Sequence, residues 1–127
     1  MTNTNTKFTT NAKTMANNVF GHIMAALVVM TQILREDDGS VVLSADVDNC
    51  VKAHLNEALD IISSIDFKNI DGVFSEKAKN INHAYSHIMG TLVVMTQVLR
   101  EDDGSVILST ADDNYIKTHL NRALELV

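Results

Sequence analysis

The amino-acid sequence predicts an all-α protein, a four-helix bundle built from two tandem, sequence-similar helical hairpins related by a pseudo-twofold axis. Three observations carry this expectation. The 127 residues include no proline and five glycines, which favours long uninterrupted helices over the turn-dense pattern of an all-β chain. Apolar residues recur at spacings of three and four, the period of a helix face. The chain is also written twice: His22–Ile62 aligns with His87–Val127 without a gap, and 27 of the 41 aligned positions carry the same residue. Identity this high, even at sites expected to be exposed, is explained by a recent duplication, so a shared letter does not by itself mark function.

Residues 1–10 are rich in Thr and Asn and are expected as a flexible tail. The remainder, 11–127, reads as a single helical domain: repeat 1 over about 11–65, a connector over about 66–74 and repeat 2 over about 75–127. In the first segment of repeat 1, Phe20, Ile23, Leu27, Met30 and Leu34 form an amphipathic stripe, and Tyr85, Ile88, Leu92, Met95 and Leu99 restate it in repeat 2. The opposite side is small and apolar as well, with Gly21, Ala25, Val28 and Val29 in one copy and Ser86, Gly90, Val93 and Val94 in the other. A helix apolar nearly all round calls for burial on two faces. The expectation is that these inner helices meet through their small faces and leave surplus apolar surface for a homodimer contact.

The heptapeptide REDDGSV follows at Arg35–Val41 and again at Arg100–Val106. Its glycines, Gly39 and Gly104, suit the left-handed residue that closes a helix, so each motif reads as a hairpin connection. Glu36, Asp37, Asp38, Glu101, Asp102 and Asp103 would then sit at helix C-termini, where the macrodipole disfavours negative charge. In an up-down-up-down bundle the two turns share one end and make an acidic pole, whereas a crossover connection separates them.

The second segment of each copy reads as a one-faced outer helix. Val47, Val51, Leu55, Ala58, Leu59 and Ile62 form its stripe, while Asp48, Lys52, Asn56, Glu57 and Asp60 are expected to face away. Ser44 and Ser109 are the N-caps, and Asp112 completes an Asp-for-Glu version of a capping box. Asp71-Gly72 supplies a turn between the repeats and Ser75 a third cap.

Sixteen acidic and ten basic residues give a formal charge of −6, which argues against nucleic acid or an anionic membrane as partner. Cys50 is the single cysteine, so no intrachain disulfide forms and a reducing cytoplasm is the simplest setting. The apolar run Val19–Leu34 falls short of the ~20 residues of a membrane span, and its recurrence at Ala84–Leu99 argues against a cleavable leader. No nucleophile elbow, phosphate loop or zincin spacing occurs, so the chain is not expected to be an enzyme and no cofactor is assigned.

The histidines are the candidate metal ligands, and no metal site is assigned. Counted from the hairpin turn, His22 lies about five residues farther out than His54, an axial offset of ~7 Å at 1.5 Å per residue. That leaves only His22 with His87 across the pseudo-twofold, besides the i,i+4 pair His83 and His87, as candidates. The six methionines are read as core filling. The functional expectation is a non-enzymatic protein-interaction module, of the kind a small acidic inhibitor, immunity or adaptor protein would be, binding through the acidic turns or the apolar helix face. The alternatives are a metal- or small-ligand-binding bundle and a structural subunit of a larger complex.

Overall fold

The computed structural model describes residues 2–31, 33, 35–65 and 73–127, with the side chains of 2–12 and 73–75 outside that description. Its elements are α1 (Thr2–Thr31), β1 (Val41–Leu43), α2 (Ala45–Ser64), α3 (Val73–Gln97), β2 (Val106–Leu108) and α4 (Thr110–Leu126). The protein is mostly all-α, and its four helices fit a four-helix fold. Of the stretch 1–10 read as a tail, residues 2–10 lie within the bounds of α1, which is helical from Thr2. Most of the connector, including Asp71-Gly72, lies outside the described residues. Because α3 begins at Val73, Ser75 lies inside its first turn rather than at its cap.

Each helix buries a seam with heptad spacing. On α1 the fully or nearly buried residues are Ala16, Val19, Ile23, Ala26 and Met30; on α2 they are Asp48, Val51, Leu55, Ala58 and Ile62. Ile81, Ala84, Ile88, Thr91 and Met95 line α3, and Asp113, Ile116, Leu120 and Ala123 line α4. Alternating steps of three and four are what left-handed bundle packing requires. Burying each large aliphatic side chain in this seam stabilises the fold by about 1.5–3 kcal/mol before chain entropy is counted.

The helices form a ring. The largest contacts are α1 with α2 and α3 with α4, and the hairpins meet through α2 against α3 and α1 against α4. The expected packing of α1 on α3 through small faces is therefore corrected: the two lie diagonally across the ring. The seam on α1 is centred on Val19 and Ile23, which turns Phe20 outward at 43% exposure.

Beyond α1 the chain does not turn tightly into α2. Helix α1 stops at Thr31, and Arg35 then pairs antiparallel with Val41 across the EDDGS loop. The Glu36 amide donates to the Ser40 carbonyl at 2.8 Å, and the Gly39 amide donates to the Glu36 carbonyl at 2.9 Å. Gly39 has φ +88°. This is a three-residue β-hairpin loop, a type I turn closed by a left-handed glycine, and Glu101–Ser105 repeats it with Gly104 at φ +87°. The glycines thus close β-hairpins and not helices. The β-branched run Val41-Val42, for which the sequence reading had no strand, supplies the reason.

Strands β1 and β2 pair antiparallel with Val41 opposite Leu108, Val42 opposite Ile107 and Leu43 opposite Val106. Val42 and Ile107 occupy the same place in the two repeats, so the pseudo-twofold axis passes between them. Val41, Leu43, Val106 and Leu108 point into the core, leaving Val42 and Ile107 outward. The pairing brings both REDDGSV motifs to one end of the bundle, the arrangement expected of up-down-up-down order.

Candidate functional site

Three features follow from this fold. The first is a pair of ion bridges exchanged between the repeats. Asp48, expected to face solvent, is fully buried, and so is its counterpart Asp113. They sit one step before Val51 and Ile116 on the heptad seams, at the first turns of α2 and α4. Ser44 and Ser109 cap those helices as expected, accepting from the amides of Val47 at 3.2 Å and Asp112 at 3.1 Å. Oδ2 of Asp48 accepts from Arg100 at 2.8 Å and Lys52 at 3.0 Å; Oδ2 of Asp113 accepts from Arg35 at 2.7 Å and Lys117 at 3.2 Å. Each Oδ1 is buried without a hydrogen-bond partner. Arg35 and Arg100 also donate through Nη1 to the carbonyls of Gly39 and Gly104, each at 2.7 Å. The arginine of each motif thus holds its own turn and grips the other repeat.

The acids of the turns have separate roles. Asp38 accepts from the hydroxyl of Ser40 at 2.6 Å and from its amide at 2.9 Å, and Asp103 does the same with Ser105. The serine hydroxyl, followed by the serine amide, holds each carboxyl below its ordinary range. Glu36, Asp37, Glu101 and Asp102 are exposed. None of the six belongs to a helix C-terminus, so the unfavourable macrodipole term inferred from sequence does not arise. Two open grooves flank the sheet in equivalent positions. One, of about 560 Å³, includes Asp38, Leu99, Ile107 and Asp112; the other, of about 410 Å³, includes Glu36, Val42, Ala45 and Asp103.

The second feature is the outward side of α1 and α3. Phe20, Met24 and Val28 on α1, and Met89 and Val93 on α3, are exposed. Of the expected association face, Gly21, Val28, Ser86 and Val93 are exposed, while Ala25, Val29, Gly90 and Val94 are half-buried. No charged side chain occurs between Lys13 and Arg35 or between Lys79 and Arg100. By length and composition alone, Lys13–Thr31 is long and apolar enough to cross a membrane, unlike the shorter run that starts at Val19. In the fold its inner side is the bundle seam.

The third feature is a histidine pair in each hairpin. His22 Nδ1 lies 3.0 Å from His54 Nδ1, and His87 Nδ1 lies 2.7 Å from His119 Nδ1. The sequence argument separating His22 from His54 is overturned, and the reason is the strand. Helix α1 ends nine residues after His22, and α2 begins nine residues before His54, so the two stand level. An axial offset between them would require helix to continue up to the turn, and α1 ends at Thr31. Fold and ring packing place His22 and His87 on diagonal helices, and no cross-repeat pair forms between them. Burial first, then His119, Arg122 and His83, hold His87 below the ordinary imidazole range. His83 is exposed and lines a shallow groove with His87, Arg122 and Glu125. Among the described residues, no three His, Cys, Asp or Glu side chains converge on one point.

Compared with protein-family models, with curated proteins and with solved structures, the chain gives no match.

Proposed function

We propose that this chain is a non-enzymatic association module that binds a second copy of itself through the uncharged outward face of α1, with the acidic pole guiding a protein partner. The single observation that carries the reading is the exposed row Phe20, Met24 and Val28 on a stretch of helix with no charged side chain. Three apolar side chains one helical turn apart present a stripe, and stripes of this kind mark contact surfaces. A second copy suits the face because an isologous contact there brings no like charges together, despite the net charge of −6 on each molecule. Buried Asp48 and Asp113 are engaged in structural ion pairs, which leaves the exposed Glu36, Asp37, Glu101 and Asp102 to attract a basic partner and speed its encounter. The lone thiol of Cys50 suits a reducing, cytoplasmic setting.

The test is light scattering coupled to gel filtration on the wild type and on Met24→Glu and Met89→Glu, with circular dichroism as the check of fold. The expected result is a dimer that Met24→Glu converts to monomer and that Met89→Glu leaves intact. A wild-type monomer at all accessible concentrations overturns the reading.

A further inference from the structure

We infer that His22 and His54 form a two-imidazole site for a divalent transition-metal ion, and that the equivalent pair His87 and His119 is tuned against one. The inference is independent of self-association through α1.

Two imidazoles whose Nδ1 atoms face each other at 3.0 Å have two ways to satisfy their lone pairs. One ring donates a proton to the other, or both rings keep their protons on Nε2 and offer both lone pairs to a cation. The ring spacing admits the second. With metal–nitrogen bonds of about 2.05 Å, and about 1.15 Å from nitrogen to ring centre, two imidazoles at a tetrahedral angle stand about 5.2 Å apart, centre to centre. The rings of His22 and His54 are 5.2 Å apart. A pivot of each ring in place therefore suffices, with no shift of α1 against α2. Both rings are half-buried at the surface between the helices, so water can complete the coordination. Imidazole donors select ions late in the divalent series, Cu²⁺, Ni²⁺ and Zn²⁺.

The two hairpins differ in charge around this pair. Beside His87 stand Arg122 and His83, both of which oppose added positive charge there. At the corresponding positions the first repeat carries Glu57 and Asn18. Glu57 lies three residues after His54 on α2, one turn along the same helix. Against a background in which most aligned residues are identical, the exchange of Arg for Glu makes the first pair the more favourable for a cation.

The experiment is a calorimetric titration of the full chain with Zn²⁺, paired with NMR of the imidazole nitrogens. The expected result is one equivalent bound, with His22 and His54 signals moving and those of His87 and His119 still. His22→Gln and His54→Gln each weaken binding at least tenfold, while His87→Gln does not. Imidazole signals of His22 and His54 that stay fixed in the wild type at millimolar Zn²⁺ mean a hydrogen-bonded pair only, and overturn the inference. So does Zn²⁺ binding that persists in the His22→Gln/His54→Gln double variant, or that is lost in His87→Gln instead. The wild-type NMR reading stands even where a variant fails to fold.

Discussion

Arg35 donates through Nη2 to Oδ2 of Asp113 at 2.7 Å, across 78 residues of chain, and Arg100 makes the reciprocal bond to Asp48 at 2.8 Å. The arginines are close to half exposed and the carboxylates not at all. Burying a charge is costly, and removing its partner leaves that cost uncompensated. Arg100→Met is expected to destabilise the fold by about 3 kcal/mol, the low end for a broken buried pair because Lys52 remains. Urea unfolding of Arg100→Met, Asp48→Asn and the double variant checks this. The coupling energy should exceed about 1 kcal/mol, and a value near zero refutes the lock.

This lock shows what could and could not be read from the sequence. The helical seams were legible because burial repeats every three or four residues: Ile23, Met30, Leu55 and Ile62 were each placed on the correct side. The helix caps Ser44 and Ser109 were legible because capping is local chemistry. Asp48 was misplaced, since periodicity put it among polar residues and its partner Arg100 comes from the other repeat, 52 residues away. The same gap hid the strand. Val41, Val42 and Leu43 become a strand by pairing with Val106–Leu108, a contact no local pattern announces. Once the strand was missed, non-helical residues were counted as helix, and His22 and His54 fell out of register.

Substitution of the turn glycines separates backbone strain from packing. Both Gly39 and Gly104 have φ near +90°, where a side chain costs about 1–2 kcal/mol. A Cβ at Gly39 also comes within 2.5 Å of Thr110 Oγ1, whereas at Gly104 it meets Ala45 Cβ at 3.1 Å. Gly39→Ala should therefore be the more damaging of the two. Adding Thr110→Ala should bring it level with Gly104→Ala in thermal melts; a Gly39→Ala variant unmoved by Thr110→Ala contradicts the contact.

Asp38 is held below its ordinary carboxyl range by Ser40. Its native form is thus favoured once the carboxyl is ionised. That stabilisation is present above the unfolded value of 3.8 and is lost as pH falls through the folded value. Ser40→Ala should raise the Asp38 midpoint toward 3.8 in a carboxyl NMR titration, leaving Asp103 unchanged because Ser105 serves it independently. A midpoint that stays low in Ser40→Ala assigns the shift to another cause.

His87 gives a slope of the same sign at higher pH. Burial, and then the neighbouring His119, Arg122 and His83, hold its folded midpoint below 6.5. The unfolded chain consequently binds this proton first, and stability declines as pH falls below 6.5 toward the folded value. Urea midpoints measured at about pH 7.5 and about pH 5.5 should fall further in the wild type than in His87→Gln. Equal losses in the two proteins remove His87 from the account.

The exchange of contacts across the Val42–Ile107 axis leads to the most demanding prediction. Repeat 1 carries both halves of the ion bridges and of the strand pairing: Arg35 as donor and Asp48 as acceptor, and a strand whose central Val42 sits opposite its own counterpart. A fragment of residues 1–65 cannot satisfy Asp48 or the edge of β1 alone, but two such fragments can satisfy each other by the same geometry. It should therefore unfold on dilution and fold as a symmetric dimer, with a melting temperature that rises with concentration. Arg35→Met should abolish that dimer, because both ion bridges are lost at once. Sedimentation and melts over a hundredfold concentration range decide the matter. A fragment that is folded, cooperative and monomeric at low concentration would show that a single hairpin shelters its own apolar side, and that the cross-repeat contacts are not what holds this fold.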